Sequence, residues 1–133
     1  MIENYPQFIA MATSQAEPQR LLFVLAKMQL PKEATAEQQA RFEQGEGGYL
    51  EPVLCVDKLP DEVRDFSAFV AESKQTELEW DVAFITSMDG RAGFPPNSDE
   101  AVQPLKLMVQ RIEAGQVANF LAVNKAGELL QFQ

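Results

Sequence analysis

The residues best equipped for chemistry stand where four short apolar runs end. After residues 21–26 comes Lys27. After Val53-Leu54-Cys55-Val56 come Asp57 and Lys58. After Val82-Ala83-Phe84-Ile85 come Thr86, Ser87, Asp89 and Arg91, and after Phe120-Leu121-Ala122-Val123 come Asn124 and Lys125. Arginine forks onto carboxylate or phosphate and lysine supplies a point charge, so these cations beside hydroxyls and carboxylates form a set suited to a small anionic ligand. The longest irregular stretch among them is Met88-Asp89-Gly90-Arg91-Ala92-Gly93-Phe94-Pro95-Pro96-Asn97-Ser98. Two glycines open backbone conformations closed to other residues, and the paired prolines stiffen the exit. Arg91 and Phe94 offer a charged fork and an aromatic face, which makes this loop the expected functional surface. The competing expectation is that the loop is a plain crossover, with Phe94 turned inward and Arg91 paired to Asp89 or Asp57.

Other chemistries are excluded by composition. Among 133 residues there is no histidine, which removes the commonest general base and zinc ligand. The lone Cys55 can form neither an internal disulfide nor a Cys-rich metal site, and nothing calls for a metal or a cofactor. Set in an apolar run next to Asp57, it reads as a buried, unreactive thiol. Lys plus Arg is 11 and Asp plus Glu is 20, a net charge of −9, which disfavours nucleic acid and anionic membrane as partners. The cluster Gly45-Glu46-Gly47-Gly48 has no following helix, Lys or Ser/Thr to make it a phosphate loop, and Glu46 repels phosphate. The carboxylates form no converging pair and read as a solvated acidic surface. The first residues carry an early acid and no basic segment before an apolar run, and no apolar run approaches membrane-spanning length, so the cytoplasm is the expected location.

The elements that position these residues follow from spacing. Continuous apolar runs too short for helices suggest strands covered on both faces. Between them lie helical patterns. Tyr5, Phe8, Ile9 and Ala12 fall at i, i+3, i+4, i+7 behind Pro6. Thr35 and Gln38 form a capping box, with Gly45 as a closing residue and little apolar content between them. Val63, Phe66 and Val70 recur at helical spacing after Pro60. Ser98 is the expected cap of a last helix lined by Ala101, Leu105, Met108 and Ile112, which Pro104 should kink or delay. Asn124-Lys125-Ala126-Gly127 then turns between two strand-like runs as a C-terminal β-hairpin. The expectation is one globular domain over 1–133, in the α/β (or α+β) class. It is a layered sandwich with a mostly parallel or mixed sheet of about five strands and helices packed on it. In a parallel sheet the candidate residues Asp57, Lys58, Ser87, Asp89, Arg91 and Phe94 gather at one edge, where ligands collect.

Glu17-Pro18-Gln19-Arg20-Leu21-Leu22-Phe23-Val24, Arg41-Phe42-Glu43-Gln44-Gly45-Glu46-Gly47-Gly48, Cys55-Val56-Asp57-Lys58, Trp80-Asp81-Val82-Ala83-Phe84 and Phe94-Pro95-Pro96-Asn97-Ser98 together resemble, over nearly the whole chain, a small proteobacterial family without an established activity. Some of its members carry the label "ribonucleotide reductase subunit alpha". That enzyme needs a radical-forming cysteine and further cysteines as reductants, which one cysteine cannot supply, so the label does not fit this chain. The reading that remains is a non-catalytic interaction or regulatory module with an unidentified protein partner, leaving a homodimer open. The alternative is a protein that binds a small anionic molecule, or acts on it, at the strand ends.

Overall fold

The computed structural model describes residues 2–30, 33–43 and 48–131. Its elements run α1 (Tyr5–Thr13), β1 (Gln19–Gln29), α2 (Ala36–Glu43), β2 (Tyr49–Lys58), a 3-10 turn (Pro60–Val63), α3 (Phe66–Lys74), β3 (Val82–Asp89), α4 (Ser98–Glu113) and β4 (Leu121–Val123). The four strands form one sheet in the order β2-β1-β3-β4.

Every adjacent pair in that sheet is antiparallel, which corrects the expected parallel or mixed arrangement. The continuous apolar runs do reflect strands covered on both faces, but helices can cover an antiparallel sheet equally well. Two connections decide the direction. The segment holding α2 buries none of that helix's residues, so it returns beside β1 rather than crossing the sheet. The β2–β3 connection then carries α3 over β1, so β2 and β3 run the same way on either side of it. The fifth strand shrinks to one bridge, Val123 to Leu129, after a turn in which Gly127 N donates to Asn124 O at 3.0 Å. Phe132 and Gly45 lie outside the described residues.

Alternation along β1 and β3 divides the core in two. Leu21, Phe23, Leu25, Ala83 and Ile85 face α1, the 3-10 turn and α3, where Tyr5, Phe8, Phe66, Phe69 and Val70 meet them. Leu22, Val24, Ala26, Val82 and Phe84 face α4, against Ala101, Met108 and Ile112. Aromatic rings knit the first side: Phe23 stacks on Phe69 at 4.7 Å between centroids, and Tyr5 meets Phe66 at 4.6 Å. The Tyr5 hydroxyl donates to Val63 O at 2.6 Å, and burial raises its pKa. Trp80 Nε1 donates to Ser73 Oγ at 3.0 Å, which in turn donates to Val70 O at 2.6 Å, so both buried polar groups are satisfied.

Helix starts follow the caps. Asn4 accepts from Gln7 N ahead of α1, and Asp65 accepts from Ser67 N and Ala68 N ahead of α3. The Ser67 hydroxyl and these amides hold the Asp65 carboxyl below its ordinary pKa. The Thr35–Gln38 capping box is present: Thr35 N donates to Gln38 Oε1 at 2.9 Å and Gln38 N to Thr35 Oγ1 at 3.1 Å. Two expectations are corrected. The third helical segment is a 3-10 turn followed by an Asp65-capped helix, not one helix from Pro60. In α4 the cap is Asn97, not Ser98, and the helix runs unbroken through Pro104, so its regular part is not delayed. No helix among the described residues is long and apolar enough to cross a membrane.

Phe84 has no exposed surface and sits at the centre of the α4 side. Phe84→Ala should therefore cost about 3–5 kcal/mol in urea unfolding, as truncations of buried aromatics do. A loss below about 1 kcal/mol would show that this strand is not the core of that layer.

Candidate functional site

The antiparallel topology redistributes the strand-end residues. Because β2 and β3 both run against β1, their C-terminal ends meet the N-terminal end of β1: Leu22 pairs with Asp57 and Gln19 with Asp89. Asp57, Lys58, Ser87, Asp89, Arg91 and Phe94 thus do share one edge. Lys27, Asn124 and Lys125 lie at the other end, correcting their place in the candidate set. There Lys27 is 3.9 Å from Glu79, and Lys125 Nζ stands 5.4 Å from the centre of the Trp80 ring.

Sharing an edge does not make one cleft. Asp57 is on the α4 face with Leu22, whereas Lys58 and Ser87 flank Leu21 on the opposite face. The cations are also already paired. Arg20 Nη1 is 2.7 Å from Asp57 Oδ2, with the two side chains 13% and 22% exposed. Lys58 reaches Glu72 at 3.2 Å and Arg91 reaches Glu100 at 3.3 Å. The N-terminus of α4 is filled by the chain's own groups: Asn97 Oδ1 accepts from Glu100 N at 2.8 Å, and Ser98 Oγ donates to Asp57 Oδ2 at 2.7 Å. An incoming anion would have to displace carboxylates at each of these points. Among the described residues no group of three or more His, Cys, Asp or Glu converges to hold a metal ion.

What the edge builds instead is a clamped loop. Arg91 N donates to Phe94 O and Phe94 N to Arg91 O, both at 2.9 Å, closing a two-residue turn. Its central residues have positive φ, 54° at Ala92 and 83° at Gly93, the pattern of a type I′ turn. Glycine takes that geometry freely; alanine does so under strain. The turn is tied down by the segment before β1. Gly93 N donates to a Glu17 carboxylate oxygen at 2.9 Å, and Gly90 N to Pro18 O at 2.8 Å. Gln19 Nε2 donates to Asp89 Oδ1 at 2.8 Å, and Arg20 Nε to Pro96 O at 2.5 Å. Gly90 is buried against Pro18 O and Phe94 O with no room for a Cβ. At the tip Phe94 is 73% exposed, so neither half of the plain-crossover expectation holds: the ring points outward and Arg91 pairs with Glu100. Beside it lies a cavity of about 140 Å³ lined by Asp89, Arg91, Phe94, Pro95 and Glu100, small and acidic.

Glu17, Gln19, Arg20 and Glu100 complete this arrangement, and the sequence reading did not single them out as site residues. A parallel sheet would have put the start of β1 at the far end, so the error in strand direction hid them. Cys55 is corrected too: it is exposed, because β2 is an edge strand and a cleft opens between Cys55 and α4. Partial burial still raises its thiol pKa. No family model matches the chain, and no curated protein or solved structure matches it either.

The turn chemistry can be tested directly. Ala92→Asn, which tolerates positive φ, should raise stability by up to about 1 kcal/mol. Gly90→Ala should lower the melting temperature by several degrees, since its Cβ collides with backbone on both sides. Equal melting temperatures for wild type and Gly90→Ala would show that the loop is not clamped as described.

Proposed function

We propose that the protein is a non-catalytic interaction module of the cytoplasm and that the 89–98 loop is its recognition element. The observation that carries this is Phe94, 73% exposed at the tip of a strained turn held by four separate contacts from the 17–20 segment. A large aromatic held out in water has no role in the protein's own core. A strained backbone persists only where its surroundings enforce it, and such strain gathers at binding sites. Fixing the tip in advance removes ordering cost at the moment of association. The surrounding charge describes the partner. Glu17, Asp89 and Glu100 stand beside the turn with Arg91, an acidic surround that suits an apolar pocket with a basic rim on another protein.

Three of the segments by which the sequence resembles the proteobacterial family meet here: the one containing residues 17–20, the one ending in Asp57-Lys58, and residues 94–98. Membership of that family is part of the same proposal. The small-anion alternative has less behind it, since Arg91, Lys58 and Arg20 each have a carboxylate partner.

Arg91→Ala combined with Phe94→Ala tests the reading. In parallel affinity captures from the native cell extract, a partner retained by wild type should be lost by the double variant, while the melting temperature moves by less than a degree or two. A melting temperature several degrees lower with the partner retained would make the loop a structural element.

A further inference from the structure

The outer edge of β2 and one side of α4 lie open next to each other. Among the described residues no strand pairs with β2 on the side away from β1. On the α4 face, a cleft of about 470 Å³ runs between Cys55 and the helix, lined by Val102, Leu105, Lys106, Val109 and Glu113 among others. Val102, Lys106, Val109 and Glu113 recur at i, i+4, i+7 and i+11, which makes them one stripe along α4. Val102 is 46% exposed, and neither Lys106 nor Glu113 has an ion-pair partner among the described residues.

We propose that this open side docks a second copy of the chain across a two-fold axis. β2 pairs antiparallel with β2 of the copy, joining the two four-stranded sheets, while α4 lies antiparallel beside its counterpart. A two-fold contact must be self-complementary: if one residue meets a second, the second meets the first. The α4 stripe satisfies this. With the axis beside Val109, Lys106 falls opposite Glu113 of the copy, and Glu113 opposite the copy's Lys106. Both charges gain partners, around an apolar contact made by Val109. Copies that each carry −9 repel in general, so a contact between them needs local opposite charge of this kind.

The strand has a self-complementary register of its own. Pro52 has no N–H, which limits pairing to the later half of β2. Centred on Cys55, the register sets Leu54 against Val56 of the copy, matching two half-buried apolar residues, and leaves Pro52 at the end against Lys58. Cys55 then faces its own counterpart, at the roughly 4.5–5.5 Å Cα spacing of directly opposed antiparallel residues. This docking does not depend on the loop at 89–98.

Analytical ultracentrifugation at micromolar to millimolar concentration should give twice the 14.9 kDa chain mass. Lys106→Glu and Glu113→Lys should each weaken the dimer about tenfold, because each turns two attractive pairs into two repulsive ones. The combined exchange should restore wild-type affinity. Both positions are exposed, so unchanged circular dichroism and melting temperature will confirm that the variants fold. A short bis-maleimide should link the copies through Cys55, and Cys55→Ser should abolish the link. A monomer at every concentration would overturn the proposal, whatever other protein or peptide then occupied the cleft. So would a dimer that survives both single reversals, one that the double exchange fails to restore, or one that bis-maleimide does not link.

Discussion

Six consecutive residues, Leu21 to Ala26, are at most 1% exposed, and the rest of the molecule is arranged so that they stay that way. A strand of this kind needs a neighbour on each edge to satisfy its backbone and a layer on each face to cover its side chains. β2 and β3 supply the edges, α1 with α3 one face, and α4 the other. The central strand also dictates direction. Both neighbours run against it, so they run with each other, and their ends are delivered to the point where β1 begins.

That convergence brings charge to a place the core cannot tolerate unpaired. Arg20 opens β1 beside the last residues of β2 and the exit of the 89–98 loop. Its guanidinium joins all three by donating to the Asp57 carboxylate and the Pro96 carbonyl. Asp57 passes the connection on to Ser98 at the start of α4. One half-buried cation thus ties two strands, a loop and a helix together. Removing it would leave Asp57 with the desolvation cost and with only the Ser98 hydroxyl in place of its cationic partner. The same tie explains how a turn containing a strained alanine can persist at the end of a flexible-looking sequence.

The parts of this architecture legible in the sequence are those written in local spacing. Tyr5, Phe8, Ile9 and Ala12 announce α1; Thr35 and Gln38 announce the start of α2; the four apolar runs announce the strands. Strand direction is not local. Residues 82–85 would be equally apolar beside a parallel or an antiparallel neighbour, provided helices cover both faces. Cys55 shows the same limit, since Val53-Leu54-Cys55-Val56 reads as core whether its strand is central or at an edge. The loop was visible because Gly90, Gly93 and the two prolines change composition abruptly. Its clamp was not visible, because Glu17 and Arg20 reach it only through the β1–β3 pairing.

Two of the open features among the described residues, the Phe94 tip and the β2–α4 side, are related by geometry. The tip precedes the first residue of α4, and the open stripe runs along that same helix. In the proposed pairing α4 and its counterpart are antiparallel, so the two tips lie at opposite ends of a helix pair. Sixteen residues of helix span about 24 Å. A single exposed phenylalanine with an acidic surround supports only modest affinity. In the proposed dimer, two such tips on one rigid body would act together on a partner that is itself repeated, because the second contact would form at the effective concentration set by the first. Rigidity matters here in a way it would not for a lone tip. In that dimer a clamped turn would fix the distance between the two rings, and a fixed distance would select partners whose pockets match it.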